Sequence, residues 1–162
     1  MSEATPADET PQIEVHALLV CREVQGGKTG GVSVREVLDI VPVLQLPGDA
    51  GPLTFAAFVR AHRAGEAKVA FRIFPLGDPS VTLVELPGRL VVQKGYEGRQ
   101  NVIAAGFKTL TVKAGGWFGV DFRVGDTVLA TTRFLIGAMV QTGALPPPQK
   151  PQDYQEVSET SC

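Results

Sequence analysis

Apolar side chains recur at every second position through most of residues 13–136, the period of a half-buried strand, and Gly- or Pro-bearing turns interrupt them at short intervals. The clearest case is residues 116–136. Phe118, Val120, Phe122 and Val124 share one face, opposite Gly119, Asp121 and Arg123; Val128, Ala130, Thr132, Phe134 and Ile136 share a face of the next segment. Gly125-Asp126 between them is a hairpin signal. Cross-strand partners point to the same side of a sheet, so both apolar sets must meet in one core. A two-residue loop would set Phe122 opposite Leu129 and put the sets on opposite faces. The pattern therefore predicts a loop of odd length, with three residues and a left-handed Gly or Asp.

The remaining chain reads similarly. Residues 13–24 form a first strand with Ile13, Val15, Ala17, Leu19 and Cys21 on one face, while Leu18 and Val20 make its centre apolar on both. Residues 25–31 are a Gly-rich turn. Residues 32–43 fit two descriptions. Ser33-Val34-Arg35-Glu36 could be a capping box, with Val34, Val37, Leu38 and Val41 at helical spacing. The β-branched content, the turn before it and Pro42 favour a strand. Strands follow at 53–62, 67–74, 81–86 and 89–93, the last two split at Pro87-Gly88. A long strand over 102–112 changes phase near Gly106, from Ile103, Ala105 and Phe107 to Leu110 and Val112, which predicts a bulge. About eight short strands at this spacing predict a single all-β domain over 13–137. It is an antiparallel β-sandwich, immunoglobulin-like or C2-like, between disordered tails at 1–12 and 138–162, the second Pro-rich and then acidic.

Composition narrows the function more than it specifies it. With 162 residues the chain suits one domain with its own core. A net charge of −2 gives no footprint for nucleic acid. No apolar run reaches the length of a membrane helix, and the acidic start lacks the character of a secretory signal. Two cysteines, Cys21 in an apolar run and Cys162 at the end, make no disulfide framework. Together these predict a cytoplasmic protein without a membrane span.

Candidate chemistry is sparse. Gly27-Lys28-Thr29 lacks the spacing and the following helix of a phosphate-binding loop and reads as a turn. His16 and His62 have no partner at ligand spacing, so no metal site is predicted. No nucleophile motif appears, and Cys21 sits in a core-like run. The loop acids Asp49, Asp78, Glu97 and Asp126 stand one per loop, as turn residues do. Trp117 points opposite Phe118 and reads as a cover over a second core or an interface. Pro148 and Pro151 have the spacing of ligands for Pro-recognising domains, or of a plain linker. The loop over 93–101 combines Lys94, Tyr96, Arg99 and Asn101 between glycines. It is the best candidate for a recognition loop, although a solvated connection explains it as well.

The order of motifs (His16-Ala-Leu-Leu-Val-Cys21, the Gly26-Gly-Lys28 turn, Val37-Leu-Asp-Ile40, Leu110-Thr-Val112, Gly116-Trp-Phe-Gly-Val-Asp-Phe122, Gly125-Asp126 and Phe134-Leu-Ile136) resembles a family of small uncharacterised bacterial β-sandwich proteins, a domain of unknown function. The resemblance covers about residues 13–136. It implies the fold and a bacterial, cytoplasmic setting, and it carries no catalytic residues. The function expected is non-enzymatic: a protein-binding or assembly module with a protein partner or self-association and no cofactor. The alternative is a ligand- or calcium-dependent domain for carbohydrate or lipid headgroups. The register also predicts that Phe122→Asp costs about 3 kcal/mol or more, and Asp121→Ala less than about 0.5 kcal/mol.

Overall fold

A computed structural model describes residues 11–27 and 30–139, which form strands without any helix. Eleven strands run in chain order: β1 (Ile13–Gly26), β2 (Val32–Val37), β3 (Ile40–Val43), β4 (Gly48–Ala50), β5 (Leu53–Ala61), β6 (Gly65–Pro75), β7 (Val84–Val92), β8 (Gln100–Phe107), β9 (Leu110–Val112), β10 (Gly116–Val124) and β11 (Thr127–Ala138). A four-stranded sheet, β2-β1-β5-β8, packs on a five-stranded sheet, β3-β11-β10-β6-β7, and β4 pairs with β9 in a small third sheet. Most of the two expected tails, and Lys28 and Thr29 of the first turn, lie outside the described residues.

The all-β sandwich is present, but it is neither eight-stranded nor wholly antiparallel: β3 runs parallel to β11. The reason lies in residues 32–43. They are strand rather than helix, and they split. β2 pairs with β1, whereas β3 crosses to the other sheet. The Leu38 amide donates to the Val20 carbonyl at 2.7 Å and the Leu135 amide to the Asp39 carbonyl at 2.8 Å, so adjacent residues are tied to different sheets. Crossing between sheets turns an amphipathic-looking run into two short strands, of which β3 buries Val41 and Val43 while β2 stays largely exposed.

Similar corrections apply elsewhere. The phase change after Gly106 is a break between β8 and β9, which belong to different sheets, rather than a bulge. Instead of two strands at 81–86 and 89–93, β7 (Val84–Val92) runs unbroken through Pro87-Gly88, tolerated because β7 is an edge that needs no donor on its free side. In β1 the register shifts between Val15 and Ala17. Ile13 and Val15, then Leu18 and Val20, face the core, while Ala17, Leu19 and Cys21 move to the outer face.

The β10–β11 hairpin has a two-residue loop after all. Val124 pairs with Thr127, and Gly125 adopts φ 57°. The parity conflict is resolved by a bulge: Arg123 pairs with Val128 but Phe122 pairs with Ala130, leaving Leu129 extra. Phe118, Val120 and Phe122 then share the core face with Ala130, Thr132, Phe134 and Ile136. Val128 lies before the correction and is exposed.

Asp121 points away from the core, as its position predicts, yet it is only 4% exposed. Its two carboxylate oxygens accept from Arg72 Nη2 at 2.8 Å and Thr131 Oγ1 at 2.7 Å. Arg72 Nη1 donates to the Pro79 carbonyl at 3.3 Å, which ties the β6–β7 connection to the outer side of the sheet. Removing one partner of a buried pair strands the other charge. Asp121→Ala should therefore cost about 3 kcal/mol, comparable with Phe122→Asp rather than neutral. Urea denaturation midpoints of the two variants check this; a midpoint for Asp121→Ala equal to wild type would remove Arg72–Asp121 from the account of stability.

Candidate functional site

The five-stranded sheet shapes one end of the sandwich around Trp117. Just before β10, Gly115 and Gly116 bring the β9–β10 connection close to β11. A Cβ at 115 would meet the Ile136 carbonyl oxygen at 2.8 Å, and Gly116 has φ 142°, so side-chain-bearing residues are disfavoured at both. Trp117 follows, 47% exposed, with the Arg133 guanidinium 5.0 Å from its ring centroid. Across the strand, the Leu76 amide donates to the Trp117 carbonyl at 3.0 Å. These constraints leave a cleft of about 510 Å³ between the β9–β10 and β6–β7 connections, lined among others by Pro75, Leu83, Leu110, Val112, Trp117 and Phe118.

The cleft is mainly apolar. Thr111 and Lys113 are its only polar side chains, and it holds no carboxylate, imidazole or thiol. Its volume falls in the range of small-ligand and side-chain pockets. Leu83, Leu76 and Val81 are exposed on the neighbouring β6–β7 connection. Thr111 also lines a second depression, of about 700 Å³, with Leu44, Gln45, Pro47, Gly48 and Asp49, and donates to Asp49 Oδ1 at 2.7 Å.

Beside Trp117, two arginine–aromatic pairs organise the outer face of the sheet. The Phe74 ring occupies the space where a Cβ at 119 would stand, so Gly119 is needed for that ring to lie on β10. The Arg72 guanidinium covers Phe74 at 4.6 Å from its centroid while holding Asp121. Residue 119 is thus specified by a neighbour's ring rather than by a turn.

The loop candidates lie far away. The β7–β8 connection carrying Lys94, Tyr96, Arg99 and Asn101 sits where β6 starts, and the cleft sits where β6 ends, roughly 30 Å along an extended strand. Arg99 does stack on Tyr96 at 4.6 Å, and Tyr96 is exposed. The rest of the loop is bonded to itself and to the scaffold: Asn101 Nδ2 donates to the Arg99 carbonyl at 3.1 Å, the Gly95 amide to Glu97 Oε2 at 2.7 Å, and the Gly98 amide to the Ala61 carbonyl at 2.8 Å. The loop acids are engaged locally as well, Asp49 with Thr111 and Asp78 with Ser80. His62 and His16 approach Glu14 at 3.2 and 3.9 Å on the surface. Among the described residues no group of three or more His, Cys, Asp or Glu is placed to hold a metal ion.

The cleft leaves little mark in the sequence because its walls come from two segments, 75–83 and 110–118, that only the fold brings together. Its one visible signal is the lone Trp117 after Gly115-Gly116, a pattern that also fits a cover over the core.

No protein-family model matches the chain, and no curated protein matches it in sequence. Solved structures with a related shape include three with low identity. The alkylpurine DNA glycosylase AlkC of Pseudomonas fluorescens, bound to DNA containing an abasic-site analogue, is 14% identical, with TM-score 0.46 over 78% of this chain and 30% of that one. A β-glucosidase of Listeria innocua is 10% identical, with TM-score 0.46 over 78% and 16%. An immunoglobulin-like protein of Pseudomonas aeruginosa is 13% identical, with TM-score 0.42 over 81% and 99%. The chain spans less than a third of the two enzymes, and their chemistry is said of them alone. No helix among the described residues is long and apolar enough to cross a membrane.

Two expected outcomes follow from these environments. Gly119→Ala should cost about 1–3 kcal/mol, and less in a Phe74→Ala background, because the clash partner is gone; equal costs in a double-mutant cycle would show that the ring is not the obstacle. Cys21 is fully buried, and its thiol donates to the Thr54 carbonyl at 3.4 Å. Burial pushes that thiol above its ordinary 9.0, against a smaller lowering by the Glu23 backbone. The folded chain keeps a proton that the unfolded chain loses, so this contribution is complete below pH 9.0 and declines as pH rises towards the folded value. Stability measured by urea titration should fall more steeply above pH 9.0 in wild type than in Cys21→Ala.

Proposed function

We propose that this chain is a non-enzymatic binding module that takes an apolar segment of a partner protein into the Trp117 cleft. The observation that carries this reading is the cleft itself: about 510 Å³, mainly apolar, with a half-exposed Trp on its rim. Trp is over-represented where binding energy concentrates, and Arg133 holds this ring at low entropic cost. The apolar side chains of the adjoining connection extend the contact beyond one residue.

The strand order supports an immunoglobulin-like rather than a C2-like arrangement. The first strand, β1, pairs with β5 and then β8, while the last strand, β11, lies between β10 and the parallel β3. In this reading β1 in one sheet and β3 in the other divide the place of the first strand of an immunoglobulin sandwich. Such scaffolds commonly use loops at one end for recognition.

A sugar or lipid headgroup fits less well, since its hydroxyls or phosphate would meet two polar side chains, Thr111 and Lys113. The calcium-dependent form lacks a clustered set of carboxylates among the described residues.

Trp117 is the chain's single tryptophan, so its fluorescence reports the cleft directly. Anilinonaphthalene sulfonate, as an apolar probe, should shift Trp117 emission to the blue in wild type and much less in Leu83→Lys. That variant should keep its melting temperature, because Leu83 is exposed. A partner recovered by immobilised wild-type protein should be lost with Leu83→Lys as bait. An unresponsive Trp117, together with a partner held equally by both baits, would count against the cleft.

A further inference from the structure

The two main sheets have four edges, β2, β8, β3 and β7, and three of them are built against pairing with another strand. β7 carries Pro87-Gly88 at its middle. β3 has four residues, one of them Pro42. β2 carries Arg35 and Glu36, and Glu36 is kinked into φ 49°, the only described residue other than glycine with a positive φ. Proline, charge, brevity and kinks are the usual means of keeping an edge from recruiting a partner.

β8 has none of them. Its eight residues, Gln-Asn-Val-Ile-Ala-Ala-Gly-Phe, contain no charge and no proline. It pairs with β5 without a break, from Leu53 opposite Phe107 to Arg60 opposite Gln100, so its backbone is regular along its whole length. Among the described residues no strand covers its other side. The core is also unfinished there. Ile103, Ala105 and Phe107 point inward, yet all three remain only partly buried, whereas Leu90 and Val92 of the facing edge strand β7 are buried.

We propose that two copies of the chain join along β8, antiparallel about a two-fold axis normal to the four-stranded sheet, forming one continuous eight-stranded sheet. This inference does not depend on the Trp117 cleft. A second copy is the occupant that the strand itself specifies. A two-fold of this kind sets residues of the same face opposite one another. An axis at Ile103 places Val102 against Ala104, and an axis at Ala104 places Val102 against Gly106. Every such pair within β8 is uncharged, so no like charges meet. Next to Val102 and Ala104 the outer row continues into Phe58 and Ala56 of β5 and Ala17 and Leu19 of β1, with Thr54 and Arg60 towards its ends. On the inner side, the second copy would cover the partly buried Ile103 and Phe107.

Sedimentation equilibrium on the full chain, from low to several hundred micromolar, tests the joining. The expected mass is twice the 17.2 kDa of one chain at high concentration. Amide hydrogen exchange of the wild type should slow over residues 102–106 by at least about tenfold between the two extremes. Ala104→Lys, at an exposed outward position, should stay folded and monomeric. A monomer at every concentration overturns the proposal. So does a dimer in which residues 102–106 exchange at the monomer's rate, or in which Ala104→Lys dimerises as wild type does. If Ala104→Lys fails to fold, the wild-type exchange pattern decides.

Discussion

Phe55 is where the two main sheets hold each other. It lies on β5, one of the two strands flanked on both sides within the four-stranded sheet, and its ring meets Phe71 at 6.2 Å and Phe134 at 6.1 Å, both from the opposing sheet. Phe107, on its own sheet, completes the contact at 5.7 Å. From there the rings continue through Phe71 to Phe122 at 5.2 Å and through Phe134 to Phe118 at 5.9 Å. Aromatic pairs at these separations add to the free energy of burial, and their shapes admit few alternative arrangements of the sheets. Because one ring touches both sheets and two branches of the chain of rings, their relative placement depends on it.

The cleft is a consequence of where that chain of rings stops. Phe118 is at once its last member and part of the cleft wall. Beyond Phe118 the strand turns at Gly116, and no further large side chain fills the space between the β6–β7 and β9–β10 connections. An apolar hollow rimmed by Trp117 remains. The polar outer face supports it indirectly: Arg72 holds Asp121 and the Pro79 carbonyl, which keeps the β6–β7 connection folded onto the sheet. The buried ion pair thus positions a loop, although a well-packed apolar pair could supply similar stability. The β8 edge reflects the opposite condition, since the core reaches it with side chains only partly buried.

Much of the fold was legible from the period-two pattern, because a sheet with one buried face writes that face into alternate residues. Phe118, Val120 and Phe122 opposite Phe134 and Ile136 were readable in this way. The candidate site was hardly legible. Trp117 stood out as a single residue, but Leu83, Leu110 and Pro75 join it only through sheet packing. Asp121 looked like a solvated surface residue because alternation reports which side a residue faces, not what covers that side.

The sequence by itself determined the class of structure, most strand positions and many of the core residues, since these follow from local periodicity and turn chemistry. Only the tertiary structure decided how parity conflicts were resolved. The same change of phase in the pattern was met by a bulge at Leu129, a register shift at His16 and a change of sheet between β8 and β9. Each keeps apolar side chains in the core, so local pattern cannot choose among them. The choice depends on which distant strand is within hydrogen-bonding reach. The cleft, the buried Asp121 and the open edge of β8 are all products of that choice.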